Sequence, residues 1–188
     1  MTTARHNPFA MHRIHSIRYM PQTCTWPELL ERLRTMEYRG AIVGPEGSGK
    51  TTLLEDLGRH LAEEGRTCRS IFITLDVKVP PREIRAAVNA ADYDVLLIDG
   101  ADHLHPLVFG IIKHKTARGR KGLVITSHRP NLLPTLIECH TSPDLFGQIV
   151  ETLAPSGDCP ENIAAVYHKH KGNIRDALRE LYDLTALK

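Results

Sequence analysis

Two stretches of this 188-residue chain hold residue types at spacings that could do chemistry. The first is Gly44-Pro45-Glu46-Gly47-Ser48-Gly49-Lys50-Thr51, which meets GxxxxGK[ST] at every fixed position. Glycines let a backbone wrap phosphate oxygens closely, with N–H donors presented at a helix N-terminus. Lys50 would reach the outer phosphates, the Thr51 hydroxyl would ligate magnesium, and Thr52 would complete the phosphate-binding set. The second stretch is VLLIDGADHL, 95–104, in which an apolar run enters Asp99 and a second acid, Asp102, follows three places later. A buried parallel strand delivers its last residue to the ligand-binding edge of a sheet, so Asp99 is expected to hold magnesium, directly or through water. Asp102 has two readings: a base that orients water, or the N-cap of a helix beginning near His103. His103 is a third candidate for proton transfer. His103 with His105 makes a poor metal pair, because the histidines lack matching Cys or carboxylate spacing.

These residues need a scaffold, and the pattern of the chain supplies one. Thr25-Trp26-Pro27-Glu28 is a capping box with Pro in the first turn, so a helix runs through LLERLRTMEY toward Gly40. AIV (41–43) is a short buried strand entering the glycine-rich loop. TTLLEDLGRHLAEEG is a helix with Leu53, Leu54, Leu57 and Leu61 on one face and Gly65 as its stop. SIFITLD (70–76), DVLLID (94–99) and GLVITS (122–127) are strands, and QIVETL (148–153) is a fifth. Pro80-Pro81 opens a helix before the third strand. SGDCP after Pro155 reads as a linker, and ENIAAVYHKHKGNIRDALRELYDLTAL as two helices broken at Gly172-Asn173. Strands that alternate with helices and are apolar throughout imply an α/β fold with a parallel sheet covered on both faces. The expected organisation is an N-terminal arm and leading helix (1–38), a core (39–156) and a small helical lid (157–188).

Bulk properties narrow the function. A formal net charge of +2 is no signature of a wholesale nucleic-acid binder, so any such activity needs a local patch. KHKTARGRKG (113–122) is the candidate: Lys113, Lys115, Arg118, Arg120 and Lys121 stand there without an acid. It could be a solvated loop, a DNA-contacting patch, or the source of an arginine finger for a neighbouring subunit. With no aromatic residue interleaved it is not a stacking platform for single strands. Cys24, Cys68, Cys139 and Cys159 form no CxxC pair and read as reduced thiols. No secretory h-region and no apolar run of roughly 18 residues is present, so a cytoplasmic protein without a membrane span is expected.

Together, the loop and LLIDGAD resemble the P-loop NTPases of the AAA+ and STAND groups, over roughly residues 25–185. That resemblance implies a three-layer P-loop NTPase core with a roughly five-stranded parallel sheet and a small C-terminal helical lid, using ATP and Mg2+. Many such ATPases carry Asp-Glu after the strand, the Glu polarising water; Gly100 stands in that place here. STAND proteins often carry hhhhDGxD, whose later acid is taken as catalytic, which implies Asp102. The Glu that often follows that acid is His103 here. LVITSHRP (123–130) is similar to a sensor-1 segment, in which Ser127 and His128 would contact the γ-phosphate or the water; STAND proteins often have T-[ST]-R-P, without the extra histidine. ABC-type ATPases also bear a histidine there, but no LSGGQ-like run occurs. Gly172-Asn173-Ile174-Arg175 resembles sensor-2, whose arginine leans over the γ-phosphate. Asn7-Pro8-Phe9 would either pack against adenine, as the resemblance implies, or belong to a disordered or partner-bound arm, and no NKxD-like guanine motif is present.

Three functions fit. One is an ATPase whose hydrolysis drives a conformational change, carried by Lys50, Thr51, Asp99, Asp102 and Arg175. Another is a switch that holds ATP and barely turns it over, which Gly100 and His103 favour. The third is a small-molecule phosphotransferase, for which no acceptor pocket is legible. A protein partner or a second copy of the chain is expected to complete or read the site.

Overall fold

The apolar runs become the strands of one parallel sheet. This computed structural model describes residues 7–74, 81–155 and 162–186. In chain order its elements are α1 (Met11–Ile14), α2 (Trp26–Thr35), β1 (Arg39–Val43), α3 (Lys50–Glu63), β2 (Cys68–Phe72), α4 (Pro81–Asn89), β3 (Val95–Asp99), a 3-10 turn (Ala101–His103), α5 (Pro106–Arg118), β4 (Gly122–Ser127), β5 (Thr135–Glu138), α6 (Pro143–Leu153), α7 (Ile163–Lys169) and α8 (Ile174–Ala186). The strand order is β2-β3-β4-β1-β5, so β4 lies between the strand that enters the glycine-rich loop and the strand that ends at Asp99. The chain divides into two compact units, one of Met20–Gly44 and Lys50–Glu138, the other of Met1–Tyr19, Pro45–Gly49 and Cys139–Lys188.

The first unit holds the whole sheet. Side chains alternate across a strand, and Ala41, Val43, Leu96, Ile98, Leu123 and Ile125 share one face. There they form a core with Ile84 and Val88 of α4 and with Phe109 and Ile112 of α5. α3 packs across the strands with Leu53, Leu54, Leu57 and Leu61, each at most 2% exposed, and each such burial is worth about 1.5–3 kcal/mol. Gly58 lets α3 come close, because a Cβ there would lie 3.0 Å from Leu97 Cδ1. α2 packs beside β5. Its capping box forms as the sequence dictates: the Thr25 amide donates to Glu28 Oε2 at 2.8 Å, and the Glu28 amide donates to Thr25 Oγ1. The helix stops at Thr35, short of Gly40, and Glu37 and Tyr38 turn the chain at positive φ.

The second unit gathers α1 and α6–α8 with residues 45–49. Phe146 of α6 is fully buried, its ring centroid 5.8 Å from that of Tyr167 of α7. Near the N-terminus, Asn7 Nδ2 donates to the Tyr182 carbonyl of α8 at 2.9 Å, and the Phe9 backbone amide donates to Asn7 Oδ1. α7 and α8 are separated at Gly172-Asn173 as expected, with Gly172 at φ +84.

Two expectations are corrected. QIVETL is not a strand: it is the C-terminal half of α6, which Ser142 caps by accepting from the Leu145 amide, and the fifth strand is Thr135–Glu138. KHKTAR is not a loop but the end of α5, and Gly119 is its C-cap. Leu75, Asp76, Pro80 and the SGDCP stretch lie outside the described residues.

β3 leaves the sheet at Gly100, φ +78, where a Cβ would collide with the Ile73 carbonyl oxygen. Gly110, inside α5, has nothing within 4 Å of its would-be Cβ. Gly100→Ala is therefore expected to cost about 2–4 kcal/mol, and Gly110→Ala to gain about 0.5–1 kcal/mol. Urea midpoints of the two variants check this; equal midpoints would remove the steric argument at Gly100.

Candidate functional site

Parallel pairing of Ile98 with Ile125 sets the next residues, Asp99 and Thr126, side by side at the C-terminal edge of the sheet. Thr126 Oγ1 donates to Asp99 Oδ1 and accepts from the Gly100 amide at 2.8 Å. Thr51 Oγ1, in the first turn of α3, donates to Asp99 Oδ2 at 2.8 Å. Each carboxylate oxygen of Asp99 is thus fixed by one threonine hydroxyl. Hydroxyl and carboxylate oxygens are the hard donors that suit magnesium, so Thr51 and Asp99, the two expected ligands, fit that ion chemically and adjoin each other. Thr126 escaped the sequence reading. Within LVITS it passes for part of a buried strand, and only the register reveals its partner.

Asp102 lies in the turn after β3. The N-cap reading fails: α5 begins at Pro106, and His105 caps it, its Nδ1 accepting from the Leu107 amide at 3.3 Å. Asp102 turns instead to the residue that follows β4. Its Oδ2 lies 2.8 Å from His128 Nδ1 and accepts from the His128 amide at 3.3 Å. Burial alone would raise this carboxyl, but the hydrogen bonds from the ring and amide of His128 outweigh it and hold the group below its ordinary value. Ser127 is 1% exposed, and its hydroxyl closes a turn, donating to the Arg129 carbonyl at 2.7 Å and accepting from the Arg129 amide. His103 is exposed beside the Asp102–His128 pair.

The glycine-rich loop leaves β1 at Gly44, whose amide donates to the Ser127 carbonyl at 3.2 Å. Lys50 opens α3 and is 9% exposed, and Thr52 in the same turn is partly buried. In the second unit, Pro45 and Glu46 are exposed, Gly47 and Gly49 take φ +71 and +83, and Ser48 donates to the Pro45 carbonyl at 2.8 Å. A Cβ on Gly47 would run into Asn173, and one on Gly49 would lie 3.3 Å from the Tyr19 ring. The sensor-2-like segment therefore lies against the loop. Asn173 caps α8, its Oδ1 accepting from the Asp176 amide at 3.2 Å, and Arg175 is exposed on the first turn.

The basic stretch is partly spent on its own fold. Lys115 bonds Asn89 Oδ1 at 2.7 Å, and Lys121 bonds the Ala90 carbonyl and lies 3.7 Å over the Tyr93 ring. Lys113, Arg118 and Arg120 are exposed.

Among the described residues no helix is long and apolar enough to cross a membrane. No protein-family model matches the chain, and no curated protein matches it. Solved structures do. The chain is similar to AMPPCP-bound DnaA from Aquifex aeolicus, with a TM-score of 0.62 at 15% identity over 93% of this chain and 64% of that one. It is similar to the replication initiator DnaA bound to AMPPCP and single-stranded DNA, with a TM-score of 0.58 at 14% identity and the same coverages, 93% and 64%. The chain thus spans just under two thirds of the length of these DnaA structures. What the likeness establishes is the fold: an α/β architecture with a five-stranded parallel sheet, of the kind found in these DnaA structures.

Proposed function

We propose that the chain is an ATP-binding protein and Mg-dependent ATPase of AAA+/STAND type, coupling nucleotide state to a conformational change or to partner binding. The observation that carries this reading is the hydrogen bond that Thr51, the last residue of GPEGSGKT, donates to Asp99. Magnesium, when bound, would supply positive charge against that of the phosphates. Thr51 and Asp99 would hold it, and Thr126 would fix the carboxylate. Lys50 and the backbone amides from Glu46 to Thr52 would bind the phosphates, with Arg175 adding charge from the helical segment. Asp102 would act by orienting the water: a carboxylate held below its ordinary pKa is a weak base but a well-fixed acceptor. His128 would position Asp102, and Ser127 would shape the turn that carries His128. The likeness to nucleotide-bound DnaA supports ATP as ligand, and the exposed Lys113, Arg118 and Arg120 support DNA as a partner. The second reading, a switch with very slow turnover, is favoured by Gly100, which places no carboxylate next to Asp99.

ATP binding and turnover with magnesium, with and without DNA, test the proposal. Lys50→Ala and Asp99→Asn are expected to abolish turnover. Asp102→Asn should retain ATP binding and lose about 10²–10⁴ in kcat. Tight binding by wild type with no turnover would favour the switch, and no binding would overturn both readings.

Thr126→Val should raise the magnesium concentration needed for half-maximal turnover while Thr126→Ser restores it. The sign of the pH dependence is also fixed. Asp102 is held down, so its ionised form persists below the ordinary carboxylate value of about 3.9. Its contribution to stability is present above that value and fades as pH falls through the lowered one. His128→Ala removes the ring's hydrogen bond and charge, which lower the group, and leaves burial, which raises it, opposed by backbone amides alone. The acid limb of the pH–rate profile should then move to higher pH; an unmoved limb would exclude Asp102 as the group that titrates.

A further inference from the structure

We propose that Asp102, His103 and His128 form a binding site for a divalent transition-metal ion of the zinc class, separate from the magnesium ligands Thr51 and Asp99; an ion held there would take Asp102 out of the water-orienting role proposed above. One ligand atom from each of the three residues lies within 4.8 Å of the other two. Ligands of a tetrahedral ion at about 2.0–2.1 Å stand about 3.3 Å apart, so a rotation of the exposed His103 ring closes the set. The tightest edge already exists: Asp102 Oδ2 and His128 Nδ1 are 2.8 Å apart, sharing a proton where an ion would draw both.

Three further features point the same way. Among the described residues, Asp102 Oδ1 is the buried side-chain oxygen left without a hydrogen-bond partner, so the protein spends only one oxygen of this carboxylate on its own hydrogen bonds. The ligands sit on anchored backbone: the His103 amide bonds the Gly100 carbonyl at 3.0 Å, and the His128 amide bonds Asp102. Room for the His103 ring exists because residue 100 is glycine, since a Cβ there would lie 3.0 Å from His103 Cδ2. The rings of His103 and His128 are 6.0 Å apart and tilted by 56°, and both side chains reach solvent, which gives an ion its entry. Two imidazoles and one carboxylate, with remaining positions open to water, select zinc-class ions over magnesium, which takes oxygen ligands.

The test reads metal retention and is independent of ATP turnover. Full-length protein stripped with a chelator is titrated with Zn2+ against a chromophoric competitor, and with Co2+ for its visible spectrum. Wild type is expected to take up one equivalent of Zn2+, undisplaced by excess Mg2+. His103→Ala and His128→Ala should each weaken binding at least about tenfold. His105→Ala, whose imidazole caps α5, should bind as wild type does. His103 is exposed, so its variant is expected to keep the fold, which far-UV circular dichroism confirms. No uptake by wild type, unchanged binding in His103→Ala, displacement by Mg2+, or a thiolate charge-transfer band in the Co2+ spectrum would each overturn the proposal.

Discussion

The geometry of this sheet edge depends on one carboxylate. Asp99 has two oxygens, and each accepts from a threonine hydroxyl, Thr126 on the neighbouring strand and Thr51 on the following helix. Those bonds tie β3, β4 and the first turn of α3 to a single point. Thr126 also holds the Gly100 amide, so the same hydroxyl that fixes Asp99 sets the direction in which the chain leaves the strand. The direction of that exit carries Asp102 toward His128. A half-buried acid is costly without partners, and the ring and amide of one histidine satisfy one of its oxygens.

Residues with a local signature were readable from sequence. The glycine-rich loop, the capping box at Thr25, the Gly65 stop and the break at Gly172 all depend on neighbours within a few positions. Asp99 was readable because an apolar strand ends there. The fifth strand was not. Ile149, Val150 and Thr152 are β-branched and mimic a strand, whereas the evidence for helix lies upstream in Ser142-Pro143 and in the buried set Leu145, Phe146, Val150 and Leu153. The true β5, TLIE, is four residues long and directly follows Pro134, too short to stand out. Thr126 and the Asp102–His128 pair were illegible for a different reason: both arise from β3–β4 adjacency, a long-range fact that no local pattern encodes.

Two glycines of the loop after β1 are matched to their neighbours. Gly47 and Gly49 adopt backbone angles that side chains resist, and the space their missing Cβ atoms would occupy is taken by Asn173 and the Tyr19 ring. Residues 45–49 thus pack with the start of α8. A side chain at Gly47 would therefore have to displace Asn173, the residue that caps α8.

Gly100 also bears on the history of this sequence. Glycine and glutamate codons can differ by one nucleotide, so the change to an Asp-Glu pair is genetically near. The left-handed turn and the Ile73 carbonyl close that path, because any side chain at this position must first displace an adjacent strand exit. A lineage that settles on this turn is held to it. An acid near Asp99 then comes from further along the chain, as Asp102 does.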